Sequence, residues 1–542
     1  MRTTRMLLSA VLSLMMMLSI LPAQTEAKPI GEYAETYKMS AYIGTGTIEP
    51  QDQPNNEYVK WIKEKFNLDI SETQFLTGDR NQALGLMIAS GTMPDVITFW
   101  TDSEGKKLAN QFVEAGMVLE VEDYLRENCP NLMVDLNETF IDAYRAKDGK
   151  LYVIPSYGIN PENKTAPYTL EPNVTLFKRT DLFNELGIED PKTPEEFYNA
   201  LVKLSGTKTS DGSRFIPLQA YDGGVYEMVV GGMFGVWTHR TDINEEEKRF
   251  TSIQEFPEYL EFLKYMAKLY REELVDPELF ITEQPVAISR QKEGRIGIGI
   301  TWPNDLDVLT YSLQQAYPDA MYNAIPIPKV EGLESTQYWQ TPTLPSMMTL
   351  VSKDAKYPER IFEYLDWMVS AEGWLGACYG APGKGVGCWY EEDGKFYFDQ
   401  ARRDEYMTAD PLYENQVLGG WTYFMAGRYI YHIHHHGFAN ITESPDKQRM
   451  DARDYNVSEV FMDPEWELIQ AIPAGPIEEV KSIAVGKVLE DGYQKIVMEA
   501  QNDEQVEEMY NKMMADAESA GLREIQEEQY ARYQMYLNGT LN

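Results

Sequence analysis

Cysteine is scarce: Cys129, Cys378 and Cys388 are the only three in 542 residues. A chain of this length buries apolar cores without covalent staples, so a disulfide scaffold is excluded as its organising principle. A Cys378–Cys388 bridge across the glycine-rich stretch between them stays open. Long apolar runs are also missing after the first two dozen residues, so no later segment reads as a transmembrane helix. Basic residues are outnumbered, with 48 Lys and Arg against 86 Asp and Glu and a formal charge of −38. Nucleic acid and anionic membrane surfaces are therefore disfavoured as partners, because phosphate would be repelled. A ligand should be neutral, or anionic only with local help. Fixed-period repeats and low-complexity tracts are absent. No Gly-x-Ser-x-Gly elbow or His-Glu-x-x-His helix is present. Lys384, in Gly383-Lys384-Gly385, lacks the Walker spacing and the hydroxyl residue after the lysine, so this stretch reads as a surface loop.

The N-terminus carries Arg2 and Arg5, an apolar run from Met6 to Pro22, and the small-residue stretch Ala23-Gln24-Thr25-Glu26-Ala27. That is the pattern of a secretory signal peptide ending near Ala27, with an uncleaved anchor as the alternative. Residues 1–27 hold two Arg and one Glu, so the remainder carries −39. No cysteine lies near the cleavage point. The expected location is outside the cell, secreted or associated with its surface, without a lipid tether at that point.

Strand and helix patterns then alternate. Residues 37–43 read as a strand, 55–66 as a helix with Tyr58, Trp61, Ile62 and Phe66 at helical spacing, and 81–90 as a second amphipathic helix. Residues 95–99 form an apolar strand after Pro94. The turn at 148–150 leads into a short strand that Pro155 should stop. Further on, 174–178 and 295–301 read as strands and 256–273 as a helix, and Thr193-Pro194-Glu195-Glu196 carries the cap and first-turn proline of a helix start. Residues 491–537 are charged and helical. Such alternation predicts an α/β fold with a largely parallel sheet. Polar or proline-bearing stretches at 160–172, 324–328 and 341–350 suggest crossings between domains. The expected division is a first lobe of 35–155 plus 325–370 and a second of 165–320 plus 371–542.

Several segments resemble the family 1 bacterial extracellular solute-binding proteins. Met87-Ile88-Ala89-Ser90-Gly91-Thr92-Met93-Pro94-Asp95-Val96-Ile97 is similar to the helix, glycine turn and Pro-Asp-apolar strand near the start of that family. Ala115-Gly116-Met117-Val118-Leu119 and the stretch from Asp148-Gly149-Lys150 to Pro155 resemble its next two motifs. Glu293-Gly294-Arg295-Ile296-Gly297-Ile298 resembles its glycine-bearing strand, and Tyr357-Pro358-Glu359-Arg360 its late helix pair. The ordered set covers most of the chain and resembles the long, carbohydrate-binding Gram-positive branch. The resemblance implies a two-lobed periplasmic-binding-protein-like fold with a ligand cleft between lobes and several hinge crossings. It also implies a carbohydrate ligand, a membrane permease of an ABC importer as partner, a monomer, no cofactor and no catalysis. A secreted polysaccharide-degrading enzyme and a sugar-sensing receptor subunit are the rival readings. Some relatives that bind acidic polysaccharide carry an Asp- and Asn-rich calcium loop. Here Thr207-Lys208-Thr209-Ser210-Asp211-Gly212-Ser213 offers one carboxylate, too few for calcium.

A sugar ring presents an apolar C–H face and a rim of hydroxyls, so its site needs flat aromatics together with amides or carboxylates. Open α/β sheets bind ligands at their strand ends. Trp100 follows the 95–99 strand, with Asp102 two residues on, an order that resembles sugar-stacking and hydrogen-bonding positions of the maltose-binding branch. Trp302 and Asn304 end the 295–301 strand in a similar way. Tyr157 and Trp339 lie beside two of the crossings and complete the candidate set. Packing within a core is the competing reading for each aromatic. His432, His434 and His436 would share a face if their segment were a strand, but without a strong fourth ligand no metal site is expected.

Overall fold

The computed structural model describes residues 33, 35–45, 53–76, 78–101, 103–134, 136, 138–156, 174–209, 212–236, 242–301, 306–334, 336–338, 347–409, 425, 438–440, 460–461, 472, 474–538 and 540. Along the chain, two main sheets take strands β1 (Ala41–Gly44), β2 (Thr73–Phe75), β3 (Val96–Trp100), β4 (Ile154–Ser156), β5 (Thr175–Arg179), β6 (Ile216–Gln219), β7 (Ile296–Thr301), β8 (Tyr322–Ala324) and β9 (Met347–Val351). They belong to two compact α/β units. The first comprises residues 1–168, 343–399 and 415–436, and the second 169–342, 400–414 and 437–542.

In the first unit the sheet order is β2-β1-β3-β9-β4. β1 runs parallel to β2 and to β3, while β9 pairs antiparallel with both β3 and β4. The four parallel strands therefore end at one edge, and β9 starts there. Helix Glu57–Phe66 forms because Asn56, in extended conformation, accepts hydrogen bonds from the amides of Tyr58 and Val59 at its start. Its buried Tyr58, Val59, Ile62 and Phe66 recur at helical spacing and enter the core. Asp79 caps helix Arg80–Ser90 in the same way, and Gly91 ends it at φ +66°, a conformation that costs glycine little.

The second sheet has the order β8-β5-β7-β6, with β7 parallel to β6 and antiparallel to β5. Gly299 in β7 is dictated by packing: a Cβ there would sit 2.2 Å from the Phe177 ring of β5. Three C-terminal helices, Pro476–Glu499, Asp503–Ala520 and Leu522–Leu537, complete this unit. Tyr493, Ile496, Val497, Val506 and Met513 pack into its core with Phe262 and Met266 of helix Pro257–Arg271.

Four expectations are corrected. The strand expected at 37–43 is two strands in two sheets, since Tyr37–Lys38 pairs with Leu68–Asp69. Pro155 does not stop its strand but lies inside β4, because β4 is an edge strand and a missing N–H costs nothing on the unpaired side. Residues 324–328 are not a crossing: Ile325 and Ile327 are buried in the core of the second unit, which retains the chain up to residue 342. Residues 371–399 belong with the first unit, where Trp389 meets Trp61 edge-on at 6.3 Å and helix Ala371–Tyr379 presents Gly376 to the same Trp61 ring. No disulfide joins Cys378 and Cys388.

Candidate functional site

β3 is buried along its whole length until its last residue. Val96, Ile97, Thr98 and Phe99 are each 0% exposed, whereas Trp100 is 36% exposed. Its indole N–H donates to the carbonyl of Thr45 at 3.1 Å, which fixes the ring at the carboxyl edge, just past the end of β1. Strand register fixes its neighbours. Met347, fully buried, lies opposite both Trp100 and Ser156, so Trp100, Met347 and Ser156 share one face in a row across β3, β9 and β4. Two hydroxyls near this edge, Thr45 Oγ1 and Ser156 Oγ, are buried and have no hydrogen-bond partner among the described residues. Ser156 is 5% exposed. Buried hydroxyls without partners are uncommon and call for an explanation such as a ligand or an ordered water. The arrangement combines an aromatic face with unspent hydroxyls.

Behind the edge the sheet is pinned. Thr98 and Thr349 contact each other through their hydroxyls at 2.8 Å, and both donate to the carbonyl of Met425. Just beyond Trp100, Thr101 hydrogen-bonds the side chain of Tyr144, and the Lys106 ammonium lies 5.7 Å from the centre of the Tyr144 ring. Of the six residues that sequence reasoning nominated, Trp100 alone is among the described residues. Asp102, Tyr157, Trp302, Asn304 and Trp339 lie outside them, as do His432, His434 and His436. Thr45, Ser156 and Lys106 were not nominated. Only Lys106 left a signal: a lysine early in helix Ser103–Glu114 faces the positive end of the helix dipole, a costly place for a cation.

In the second unit, β7 ends at Thr301, paired with Thr175 of β5, and β6 ends at Gln219. That end of β6 is held by the fully buried Asp276. Its carboxylate accepts from Arg290 Nη1 at 2.6 Å, from Thr282 Oγ1 at 2.9 Å and from the Glu278 amide at 3.1 Å. The Gln219 amide completes the set, its oxygen accepting from Arg290 at 3.3 Å and its nitrogen donating to the Ala287 carbonyl at 3.2 Å. Immediately after helix Asp222–Tyr226, the Glu227 carboxyl hydrogen-bonds Tyr259, and its other oxygen is buried with no partner among the described residues. Burial pushes Glu227 up to about 7.

Among the described residues no group of three or more His, Cys, Asp or Glu could hold a metal ion. At the place of the calcium loop, Thr209 and Ser213 close the turn through hydroxyls: Thr209 Oγ1 donates to the Ser213 carbonyl and Ser213 Oγ to Thr209 Oγ1 at 3.2 Å. Chelation with EDTA is therefore expected to leave the thermal midpoint where it is, and added calcium not to raise it. A loss of several degrees on chelation would show a metal site.

A family model described as bacterial extracellular solute-binding protein matches residues 58–373, more than half of the chain. The chain belongs to this family. Among solved structures, this solute-binding protein is similar to the alginate-binding protein AlgQ2 without calcium ion, at 16% identity and a TM-score of 0.64, over 92% of this chain and 99% of that one. It is similar also to FusA of S. pneumoniae, an ABC-transporter substrate binding protein in complex with kestose, at 15% identity and TM-score 0.65, over 93% and 100%. A third is an HMO binding, ABC-transporter associated solute binding protein of Bifidobacterium longum infantis, at 15% and 0.64, over 93% and 99%. Such identities speak to the fold. No match is found among curated proteins. No described helix is long and apolar enough to cross a membrane.

Proposed function

We propose that this solute-binding protein captures an oligosaccharide outside the cell and delivers it to the permease of an ABC importer. The observation that carries the reading is the half-open Trp100 ring at the carboxyl edge of an otherwise fully buried strand, with the unpartnered hydroxyls of Thr45 and Ser156 beside that edge. A pyranose can lay its C–H face on the indole while its hydroxyls exchange hydrogen bonds with the two side chains. Support also comes from the solved neighbours, which include alginate-binding, HMO-binding and N-glycan transport solute-binding proteins and one in complex with kestose. In this reading the N-terminal segment directs secretion, the protein acts as a monomer, and it needs neither cofactor nor catalytic group. Asp102, Tyr157, Trp302, Asn304 and Trp339 are proposed as further sugar contacts.

A thermal-shift screen over an oligosaccharide panel tests the function, since a ligand that binds only the folded state raises its apparent stability. Calorimetry with the best ligand then tests the site. Trp100→Ala is expected to weaken binding by about 1 to 3 kcal/mol, roughly 5- to 150-fold, with the fold intact. Unchanged affinity in that variant would remove Trp100 from the site, and turnover of the sugar would replace binding protein with enzyme.

A further inference from the structure

The chain is strongly acidic, yet Lys106, linked to the Trp100 edge through Tyr144, has no acidic partner among the described residues. Lys106 forms no ion pair and no side-chain hydrogen bond among the described residues, while its neighbour Lys107 takes the helix's own acid, Glu104, at 3.7 Å. It is partly buried, with only the ring of Tyr144 under its ammonium. Burial lowers its pKa, and no carboxylate acts to raise it. Three costs thus meet at one residue: partial desolvation, a position near the positive end of helix Ser103–Glu114, and no counter-ion. Tyr144 in turn bonds Thr101, the residue after Trp100, so this cation stands beside the aromatic edge rather than elsewhere on the surface. Its surroundings favour an anion, whereas the bulk of the molecule repels one.

We propose that Lys106 reads an anionic substituent on the bound sugar, so that the substrate class is acidic oligosaccharides. The inference rests on the oligosaccharide-binding reading above. A carboxylate of a uronic acid and a sulfate ester present the same chemistry to an ammonium, namely a negatively charged oxygen that accepts a charge-assisted hydrogen bond. Lysine suits both, as a compact charge on a flexible stem without a preference for planar, bidentate partners. The ligand's charge would supply the counter-ion that the chain itself withholds.

The test is calorimetry at low salt with three matched oligosaccharides, one uronate-bearing, one sulfated and one neutral. The wild-type protein is expected to bind at least one acidic sugar about tenfold or more tightly than the neutral congener, from one charged hydrogen bond. The ratio should fall with added salt and collapse toward one in Lys106→Met, while Lys106→Arg keeps it. Which acidic sugar wins identifies the source of the anion. Thermal melts of both variants check the fold, and Lys106→Met should melt no lower than wild type because it removes a desolvated charge. A neutral sugar bound as tightly as the acidic ones, or an acidic preference that survives in Lys106→Met, overturns the proposal and leaves oligosaccharide binding standing. Failure of every oligosaccharide to bind overturns both.

Discussion

Replacing Asp276 with alanine is expected to destabilise the second unit by about 3 to 5 kcal/mol, the usual cost of leaving a buried charge without its partner. Asp276 is 0% exposed and its carboxylate receives Arg290, Thr282 and the Glu278 amide. Arg290 would keep a single carboxylate partner, the more exposed Glu278 at 2.6 Å from its Nη2, beside the neutral Gln219 oxygen at 3.3 Å. Because the Asp276 amide also donates to the carbonyl of Leu218, the end of β6 would lose its anchor along with the network. Asp276→Asn keeps most of the geometry and should recover part of the loss. Urea unfolding resolves the two variants, and a loss below about 1 kcal/mol in Asp276→Ala would show that the network contributes little.

The second large effect is a pH dependence set by Glu227. Its carboxyl titrates near 7 in the folded state against an ordinary value of 4.5. Below about pH 4.5 it is protonated whether the chain is folded or not, and contributes nothing. Between 4.5 and 7 the unfolded chain releases this proton while the folded chain keeps it, so stability falls as pH rises through that window and stays low above it. The full difference is about 3 kcal/mol, from 1.36 kcal/mol per unit. Glu227→Gln, which is uncharged at every pH, should lose this slope and be more stable than wild type at pH 8. Melting curves of both proteins at pH 5 and pH 8 read the result, and parallel pH profiles would show that Glu227 is not held in its neutral form.

Local chemistry made much of the fold legible. The helical spacing of Tyr58, Ile62 and Phe66, the Pro94-Asp95 start of β3 and the Thr193-Pro194 pair all act within a few residues, and those elements form close to where the pattern puts them. Expectations failed where a distant partner decides. Pro155 is tolerated because β4 has a partner on one side only, a fact that resides in β9, almost two hundred residues later. Ile325 and Ile327 look like a linker until the core that buries them is known. The candidate site divides in the same way. Trp100 was readable, because a tryptophan at a strand end is a local pattern. Thr45 and Ser156 are ordinary residues in the sequence, and what distinguishes them is an unpartnered hydroxyl, which exists only once the strands are in register.

The insertion of β9 between β3 and β4 also has a bearing on how the protein comes into being. Phe99 pairs with Met348, so the middle of the first sheet stays open until the chain has been made past residue 351. An N-terminal unit is ordinarily the first to mature on a growing chain, but here the whole of the β5–β8 sheet is synthesised before the first sheet can close. Until then β3 and β4 present unpaired edges, the kind of surface that invites aggregation. Contacts of such long sequence separation form slowly. A chain cut anywhere between β4 and β9 would therefore leave a gapped sheet rather than a smaller binding protein, and the first unit, though begun first, is finished late.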